Sequence, residues 1–354
     1  MQLLSLNSLD LAALENLMAS LGYEKYRAAQ IFGWLHKEKC LAINDMSNLP
    51  KKLREALSDV AEISTLKEIS RLTSKVDGSV KILFELSDGA RIESVLLKDR
   101  DRMTGCISTQ VGCKMGCTFC TTATVGFKRN LSAGEIVAQV SALEKISYEM
   151  GFCEEPRLTG IVIMGMGEPL DNLNPTLCAL TMLMSEIGYG YSHRRITLST
   201  SGIADKLKVL FSLKTPVNLA VSLNASTEEK RQRIMPISKK FPLKNLLDEL
   251  KKLPIAKRKR ITFEYVLFGG FNDSKEDAAE LLQLVKGFPV KINLIRYNGG
   301  GSDKKLVTPT EKAVLAFQKI LMDKGLTVFI RKSFGVDICG ACGQLSADYS
   351  QKGS

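Results

Sequence analysis

An α/β fold, with six or seven strand–helix units arranged as an incomplete (β/α)6-type TIM barrel, is what this 354-residue sequence predicts. Beyond residue 120, short apolar runs recur between longer stretches of helical periodicity. Strand, helix, strand at that spacing means parallel strands joined by crossover helices. The runs are also apolar on both faces, as strands covered on both sides should be. A third observation sets a limit: fewer than eight such units are present, so a closed eight-stranded barrel is not reached. A doubly wound open sheet satisfies the same pattern.

In chain order, residues 1–65 read as a small helical accessory domain. "LDLAALENLMASLG" carries apolar residues at helical spacing and stops at Gly22. "YRAAQIFGWLHKEK" and "LPKKLREALSDVA" repeat the pattern. Tyr26, Arg27, Trp34 and Lys37 sit close together there, which suits either RNA contact or the solvated face of a bundle. Residues 66–100 read as a short connecting β-hairpin: "VKILFELSDGARIESVLL" alternates around the turn Ser87-Asp88-Gly89. The barrel occupies 101–345. Its first strand is placed at "CISTQVG" (106–112), and further strands at 159–165, 194–200, 217–223, 259–268, 290–297 and 326–332. Helices are expected at 132–150, 175–187, 243–253, 275–286 and 310–324, the first opened by a capping box, Ser132 with Glu135. Residues 346–354 form a tail.

Composition narrows the partners. Apolar residues make up 45% and charged residues 25%, the balance of a globular chain with a sizeable core. No apolar run reaches the ~18 residues of a spanning helix. The N-terminus lacks the basic start of a signal peptide. A cytoplasmic protein without a membrane partner is expected. In that compartment the nine cysteines stay mostly reduced, so clustered ones serve metal binding or catalysis rather than structural disulfides. The net charge of +11 suits a polyanion, RNA or DNA first. The basic runs are scattered (Lys51-Lys52, Lys128-Arg129, Arg194-Arg195, Lys239-Lys240, Lys257 to Arg260), which fits a folded basic surface better than a disordered arm.

The chemistry gathers in "GCISTQVGCKMGCTFC", where Cys113, Cys117 and Cys120 make C-x3-C-x2-C. Structural zinc takes four Cys or His ligands. Only His36 and His193 exist, and a pairing of "CTFC" with the distant "CGAC" is not the compact spacing of a zinc ribbon. A [4Fe–4S] cluster instead has four irons, and three cysteines leave one of them open. "GMGEP" (165–169) follows the strand "TGIVIM", where a glycine-rich backbone can approach a ligand closely.

"CKMGCTFC" resembles the cluster loop of radical S-adenosylmethionine (SAM) enzymes, in which the open iron takes the amino and carboxylate groups of SAM. "QVGCKMGCTFCTTATVGFKRNL", "MGMGEPLDN", "RRITLSTSG", "INLIRYN" and "ACGQL", in this order, are together similar to the RlmN/Cfr family of RNA adenine methyltransferases. The resemblance runs from the helical N-terminus to Leu345. It implies a barrel of the radical SAM kind, with a [4Fe–4S] cluster on Cys113, Cys117 and Cys120. SAM contacts would come from Gly167, Glu168, Ser199, Ser222, Leu223, Asn224 and Asn298.

The same resemblance implies two SAM molecules per turnover. Cys342 would accept a methyl group from one SAM. A 5′-deoxyadenosyl radical from the second would take a hydrogen from that methyl, and the resulting carbon radical would add to adenine. Cys106 would release the product through a transient disulfide with Cys342, and Glu93 would act in acid–base chemistry. The implied substrates are an adenosine in the peptidyl-transferase region of 23S rRNA and, in many members, the adenosine 3′ of the tRNA anticodon, each unstacked to be reached. Methylation at carbon 2 is the leading expectation; methylation at carbon 8 of the same rRNA base, giving antibiotic resistance, is the alternative. An electron donor such as flavodoxin or ferredoxin and a monomeric state complete the picture. A different class also fits the residues: an RNA-binding protein whose metal site is structural or redox-sensing.

Two positions depart from the family pattern. Asn224 stands where His is usual, which removes a titratable group. Cys339 stands where an acidic or amide residue is usual, and it creates C-x2-C with Cys342, a pair suited to a competing disulfide. Cys40, Cys153 and Cys178 lack a motif and read as small apolar residues.

Overall fold

The computed structural model describes residues 3–211, 216–255 and 259–347. Lys257 and Arg258 of the basic run lie outside the described residues, as does the tail beyond Ala347.

The N-terminal segment is helical as expected. A two-residue strand β1 (Leu4–Ser5) precedes α1 (Leu11–Ser20), α2 (Tyr26–His36) and α3 (Lys51–Val60), and β1 pairs in parallel with β2 (Ala61–Glu62). Asp10 caps α1 by accepting from Ala13 N at 2.8 Å. Gly22, at φ +78°, ends it, with Tyr23 N donating to Met18 O and Gly22 N to Ala19 O. That pair of bonds is the Schellman closure, which needs a left-handed residue. Leu14, Met18, Ile31, Phe32, Leu53 and Leu57 are buried and continuous with the core beneath the sheet.

Four antiparallel strands follow: β3 (Lys67–Thr73), β4 (Val80–Glu85), β5 (Arg91–Asp99) and β6 (Arg102–Cys106). The hairpin turns at Ser87-Asp88-Gly89 as the alternation indicated, with Gly89 N on Leu86 O. The strands do not stand apart from the barrel. Strand β6 pairs in parallel with β9 (Gly160–Ile163), and the chain continues in parallel through β10 (Ile196–Thr200), β11 (Asn218–Ser222), β12 (Ile261–Leu267), β13 (Val290–Arg296) and β14 (Thr327–Arg331). One ten-stranded sheet results, with β14 and β3 as its edges.

The connecting helices are α5 (Ala133–Glu149), α6 (Leu173–Met184), α7 (Leu207–Leu210), α8 (Glu228–Ile234), α9 (Leu243–Lys251), α10 (Lys275–Leu284) and α11 (Glu311–Asp323). The capping box at Ser132 and Glu135 is formed. A short α4 (Thr121–Val125) lies between β7 (Gln110–Gly112) and β8 (Phe127–Asn130), which pair with each other as a separate two-stranded ribbon.

The first parallel strand is not 106–112. It ends at Cys106, and Gln110–Gly112 belongs to the separate β7–β8 ribbon. Gly105 hid the strand. A side chain there would meet Leu158 Cδ1 at 2.7 Å and Leu143 Cδ1 at 3.0 Å, so close packing of a helix on the sheet excludes the β-branched residue that would have marked it.

The sheet is open, and the chain after β14 crosses the gap. Asp337 accepts from Ser74 Oγ (2.7 Å) and Lys75 N (2.9 Å), while Gly335 N donates to Asp77 Oδ2 (2.8 Å). The C-terminal segment therefore runs from one edge of the sheet to the β3–β4 turn, carrying Cys339 and Cys342 across the barrel mouth.

Candidate active site

The loop bearing the three clustered cysteines is pinned on three sides. Thr118 N donates to Ile234 O at the end of α8 (2.9 Å), Asp303 N to Thr118 O (3.1 Å), and Thr121 N to Gly343 O (2.7 Å). Thr122 Oγ1 donates to Leu345 O (2.7 Å). The last two bonds set Cys342 beside Cys120. Gly112 and Gly126 allow the β7–β8 ribbon to close at the base of the loop: a side chain on Gly112 would overlap Gly126 O at 1.6 Å.

Cys113, Cys117 and Cys120 are half-buried free thiols. Burial pushes Cys113 up to about 12 and Cys117 well above its usual value, and charge repulsion adds to both, from Cys120 on each and from Cys113 on Cys117. Cys113 and Cys117, poorly hydrated and close to one another, become thiolates together only with a metal's positive charge among them. The donor set is all sulfur, so it fits an iron–sulfur cluster held by Cys113, Cys117 and Cys120.

The glycine-rich turn is zipped to the end of β6. Met166 N donates to Ser108 Oγ (2.8 Å), Thr109 N to Met166 O (2.8 Å), and Glu168 N to Gln110 Oε1 (2.9 Å). Gly167 sits at φ +101°, a backbone conformation L side chains rarely adopt. Glu168 is buried; its carboxylate accepts from Leu170 N (3.0 Å), Thr200 Oγ1 (2.7 Å) and Ser201 N (2.7 Å). Burial raises its pKa, partly offset by those bonds. The Ser201 hydroxyl is buried beside it and also helps hold that pKa down. A buried carboxylate, a buried hydroxyl and a bare glycine backbone at adjacent strand ends fit the amino-acid end of SAM. The motifs quoted for the family did not single out Ser201.

The other expected cofactor contacts lie along the same end of the sheet. Ser199 is in β10 and half-buried. Ser222 ends β11, and the carbonyls of Ser222 and Leu223 accept from Arg231. Asn224 is buried at φ +58°; its Oδ1 accepts from Val266 N (3.0 Å) and its Nδ2 meets Met235 Sδ (3.3 Å). Asn tolerates the left-handed conformation better than most residues, so its occurrence there has a backbone reason. Asn298 O accepts from Gln344 Nε2 (3.0 Å), tying the β13 loop to the segment that holds Cys342.

Glu93, Cys106 and Cys342 come from three distant places. Strands β5 and β6 pair Val95 with Cys106, which puts Glu93 beyond the end of β6. Glu93 is buried, ion-paired with Lys81 Nζ (3.0 Å), and accepts from Ser346 N (2.8 Å), four residues past Cys342. Burial pushes the Cys106 thiol up to about 12. Cys342 is exposed, yet the cleft around it hydrates a thiolate poorly; that and repulsion from Cys106, Cys120 and Glu264 push it up to about 12 as well. Exposure to solvent and a raised thiol coexist in a concave site.

Of the three polar residues after the cluster loop, Arg129 and Asn130 are engaged. Arg129 bonds both oxygens of Asp88 (2.7 and 3.0 Å) and both of Glu135 (2.9 and 2.8 Å), and Asn130 Oδ1 accepts from Gln110 Nε2 (2.8 Å). Lys128 is exposed and, with Arg91, Val111, Val125, Met166 and Ser346, lines a cavity of about 300 Å³ at the mouth.

An open parallel barrel with a three-cysteine loop at the C-terminal ends of its strands defines a radical SAM enzyme. Residues 107–282 match the radical SAM superfamily, and residues 4–63 match the ribosomal RNA large subunit methyltransferase N-terminal domain. A radical SAM methyltransferase from Sphaerobacter thermophilus superposes with a TM-score of 0.89 at 39% identity, over 98% of this chain and 100% of that one. The dual-specificity RNA methyltransferase RlmN of Anaeromyxobacter sp. (strain Fw109-5) is 44% identical over 97% of this chain and 90% of its own length. The protein of that name from Lawsonia intracellularis is 47% identical over 96% of each chain. The chain belongs to the RlmN family of radical SAM RNA methyltransferases.

Proposed function

We propose that this protein methylates carbon 2 of adenosine in 23S rRNA, in the peptidyl-transferase region, and in tRNA, at the adenosine 3′ of the anticodon, using two SAM molecules per turnover. What most supports the reading is the convergence of Cys342, Cys106 and Glu93 at the mouth of the barrel beside the three-cysteine loop. A plain RNA-binding protein with a sealed metal site gives no reason for an exposed cysteine, a second thiol and a buried carboxylate to meet there.

Each group has a distinct task. Cys113, Cys117 and Cys120 would hold the [4Fe–4S] cluster, which would supply one electron for reductive cleavage of SAM. Cys342 carries the methyl group as a thioether, and its exposure lets it meet both cofactor and RNA. Cys106 releases the product by closing a disulfide onto Cys342, a bond that is catalytic and so compatible with a reducing compartment. Glu93 moves a proton at the adenine, with Lys81 holding its carboxylate in place. Glu168 would accept from the SAM ammonium, while Gly167, Ser199, Ser222, Leu223, Asn224 and Asn298 would hold the rest of the cofactor.

The accessory segment 1–65, the hairpin strands 66–100, the barrel 101–345 and the tail 346–354 form the working division of the chain, with 1–65 binding RNA. A one-electron donor such as flavodoxin or ferredoxin, a cytoplasmic location and a monomeric state belong to the same reading. Among the described residues no helix is long and apolar enough to cross a membrane. The test separates the tasks. Cys342→Ala should still cleave SAM to 5′-deoxyadenosine under reduction but yield no methylated RNA. Cys106→Ala should leave RNA covalently attached to the protein on a denaturing gel. Methylation by either variant at the wild-type rate counts against the thioether route.

A further inference from the structure

Arg231, on α8, is fully buried. Its guanidinium donates from Nε to Leu223 O (3.2 Å), from Nη1 to Ser238 Oγ (2.9 Å), and from Nη2 to Ser201 O (2.6 Å) and Ser222 O (3.2 Å). None of these four acceptors is charged. Glu228 supplies one counter-charge beside the guanidinium, linked to it through Ser238, whose Oγ donates to Glu228 Oε1 at 2.6 Å; Glu228 also accepts from Gln232 Nε2 and Leu243 N. A buried cation held only by neutral oxygens is expensive unless a counter-charge lies close by.

A second anionic group lies nearby, at the cysteine loop. The end of α8 is bonded to that loop through Thr118 N and Ile234 O, and Cys117 packs on the group containing Ile234 and Met235. Arg231 and Cys117 each feel the other's charge: the guanidinium favours the thiolate, and the thiolate favours the guanidinium. On the far side of Ser201, the buried carboxylate of Glu168 accepts from Ser201 N. A buried cation and a buried anion thus flank Ser201.

Three thiolates on a doubly positive [4Fe–4S] core make an anion, and one added electron makes it more negative. A fixed positive charge nearby favours the reduced form, and net charge and burial are the levers that set such potentials. We propose that Arg231 is a positioning residue of this kind: the fixed counter-charge of the cluster at Cys113, Cys117 and Cys120, raising its reduction potential so that a modest cellular donor can reduce it. This rests on the radical SAM reading above.

The experiment is a redox titration of the cluster in full-length reconstituted protein without RNA, followed by electron paramagnetic resonance, for wild type, Arg231→Gln and Arg231→Lys. Arg231→Gln should shift the potential negatively, making reduction at least tenfold less favourable, which is ~59 mV for a one-electron couple. Arg231→Lys, which keeps the charge, should stay near wild type. A loaded Arg231→Gln protein with the wild-type potential overturns the inference, as does an equal shift in both variants. If Arg231→Gln fails to hold a cluster, Arg231→Lys decides: loading at the wild-type potential supports the charge role, and loss or the same failure overturns it. A wild type that never assembles a four-iron cluster overturns the radical SAM reading, and this inference with it.

Discussion

Replacing Gly167 by Ala should disable the cofactor turn, and the size of the effect follows from two separable costs. The first is backbone strain. Gly167 sits at φ +101°, and a non-glycine residue in such a region costs ~1–3 kcal/mol. The second is contact. The added Cβ would lie 2.6 Å from Gln110 Cβ, 2.8 Å from its Cγ and 2.8 Å from its N. Two of those atoms are fixed to the backbone, so the turn or β7 must move, and overpacking of this kind costs a further ~1–3 kcal/mol. Gln110 also positions Glu168 through its Oε1 and holds Asn130 and Asp171 through its Nε2 (2.8 Å each). Displacing it therefore moves the carboxylate assigned to the SAM ammonium. A misplacement of ~1 Å can cost ~100-fold in rate.

Gly270 provides the control: its φ is +69°, but nothing lies within 4 Å of an added Cβ. Gly270→Ala should lose only the strain, ~1–2 kcal/mol, and cleave SAM at the wild-type rate. The assay is 5′-deoxyadenosine formation under chemical reduction, with thermal melting of the same samples. Equal SAM cleavage by Gly167→Ala and wild type would refute the reasoning. So would Gly270→Ala being as impaired as Gly167→Ala.

Four further outcomes are expected. His36 is buried with neither ring nitrogen partnered among the described residues, and burial lowers its pKa to about 4 from 6.5. The unfolded chain then binds the proton more readily, so stability falls as pH drops from 6.5 toward 4, by on the order of 3 kcal/mol at full protonation; urea unfolding of His36→Leu should lack this slope. Lys128→Ala should reduce the salt dependence of RNA binding by ~0.7–0.9 in log–log slope, the value of one phosphate contact. Arg129→Ala should leave the slope unchanged and instead destabilise the β8–α5 corner by ~1–3 kcal/mol, because its charge is committed to Asp88 and Glu135. Gln139→Leu should cost ~3–6 kcal/mol in denaturant unfolding, since it strands the Ser108 N–H, the Ser108 carbonyl and the Ser94 hydroxyl in the interior.

The parallel strands beyond residue 120 were legible because each is a continuous apolar run, and their observed ends fall within the expected windows. The helices with an apolar stripe were legible for the same reason. Helix α8, "EEKRQRI", was not: it has little apolar periodicity, and its inward residues are Arg231 and Ile234. The three-cysteine spacing announced a cluster, but not which way the following residues point; that Arg129 turns inward to Asp88 depends on a hairpin 41 residues away. Glu93 carried no local signal, because it reads as one position of an alternating strand. Its burial comes from the C-terminal segment folding over it, a contact spanning 253 residues. The departure at Asn224 looked like a lost proton carrier, whereas its left-handed backbone and its bond to Val266 N give it a structural reason.

The most direct test of RNA methylation at carbon 2 is nucleoside mass spectrometry after the reconstituted enzyme, SAM and a reductant act on unmodified 23S rRNA and on unmodified tRNA. The prediction is 2-methyladenosine in both RNAs, absent when Cys342 is Ala. Formation of 8-methyladenosine instead, or of no methylated adenosine by an enzyme that cleaves SAM, would contradict it.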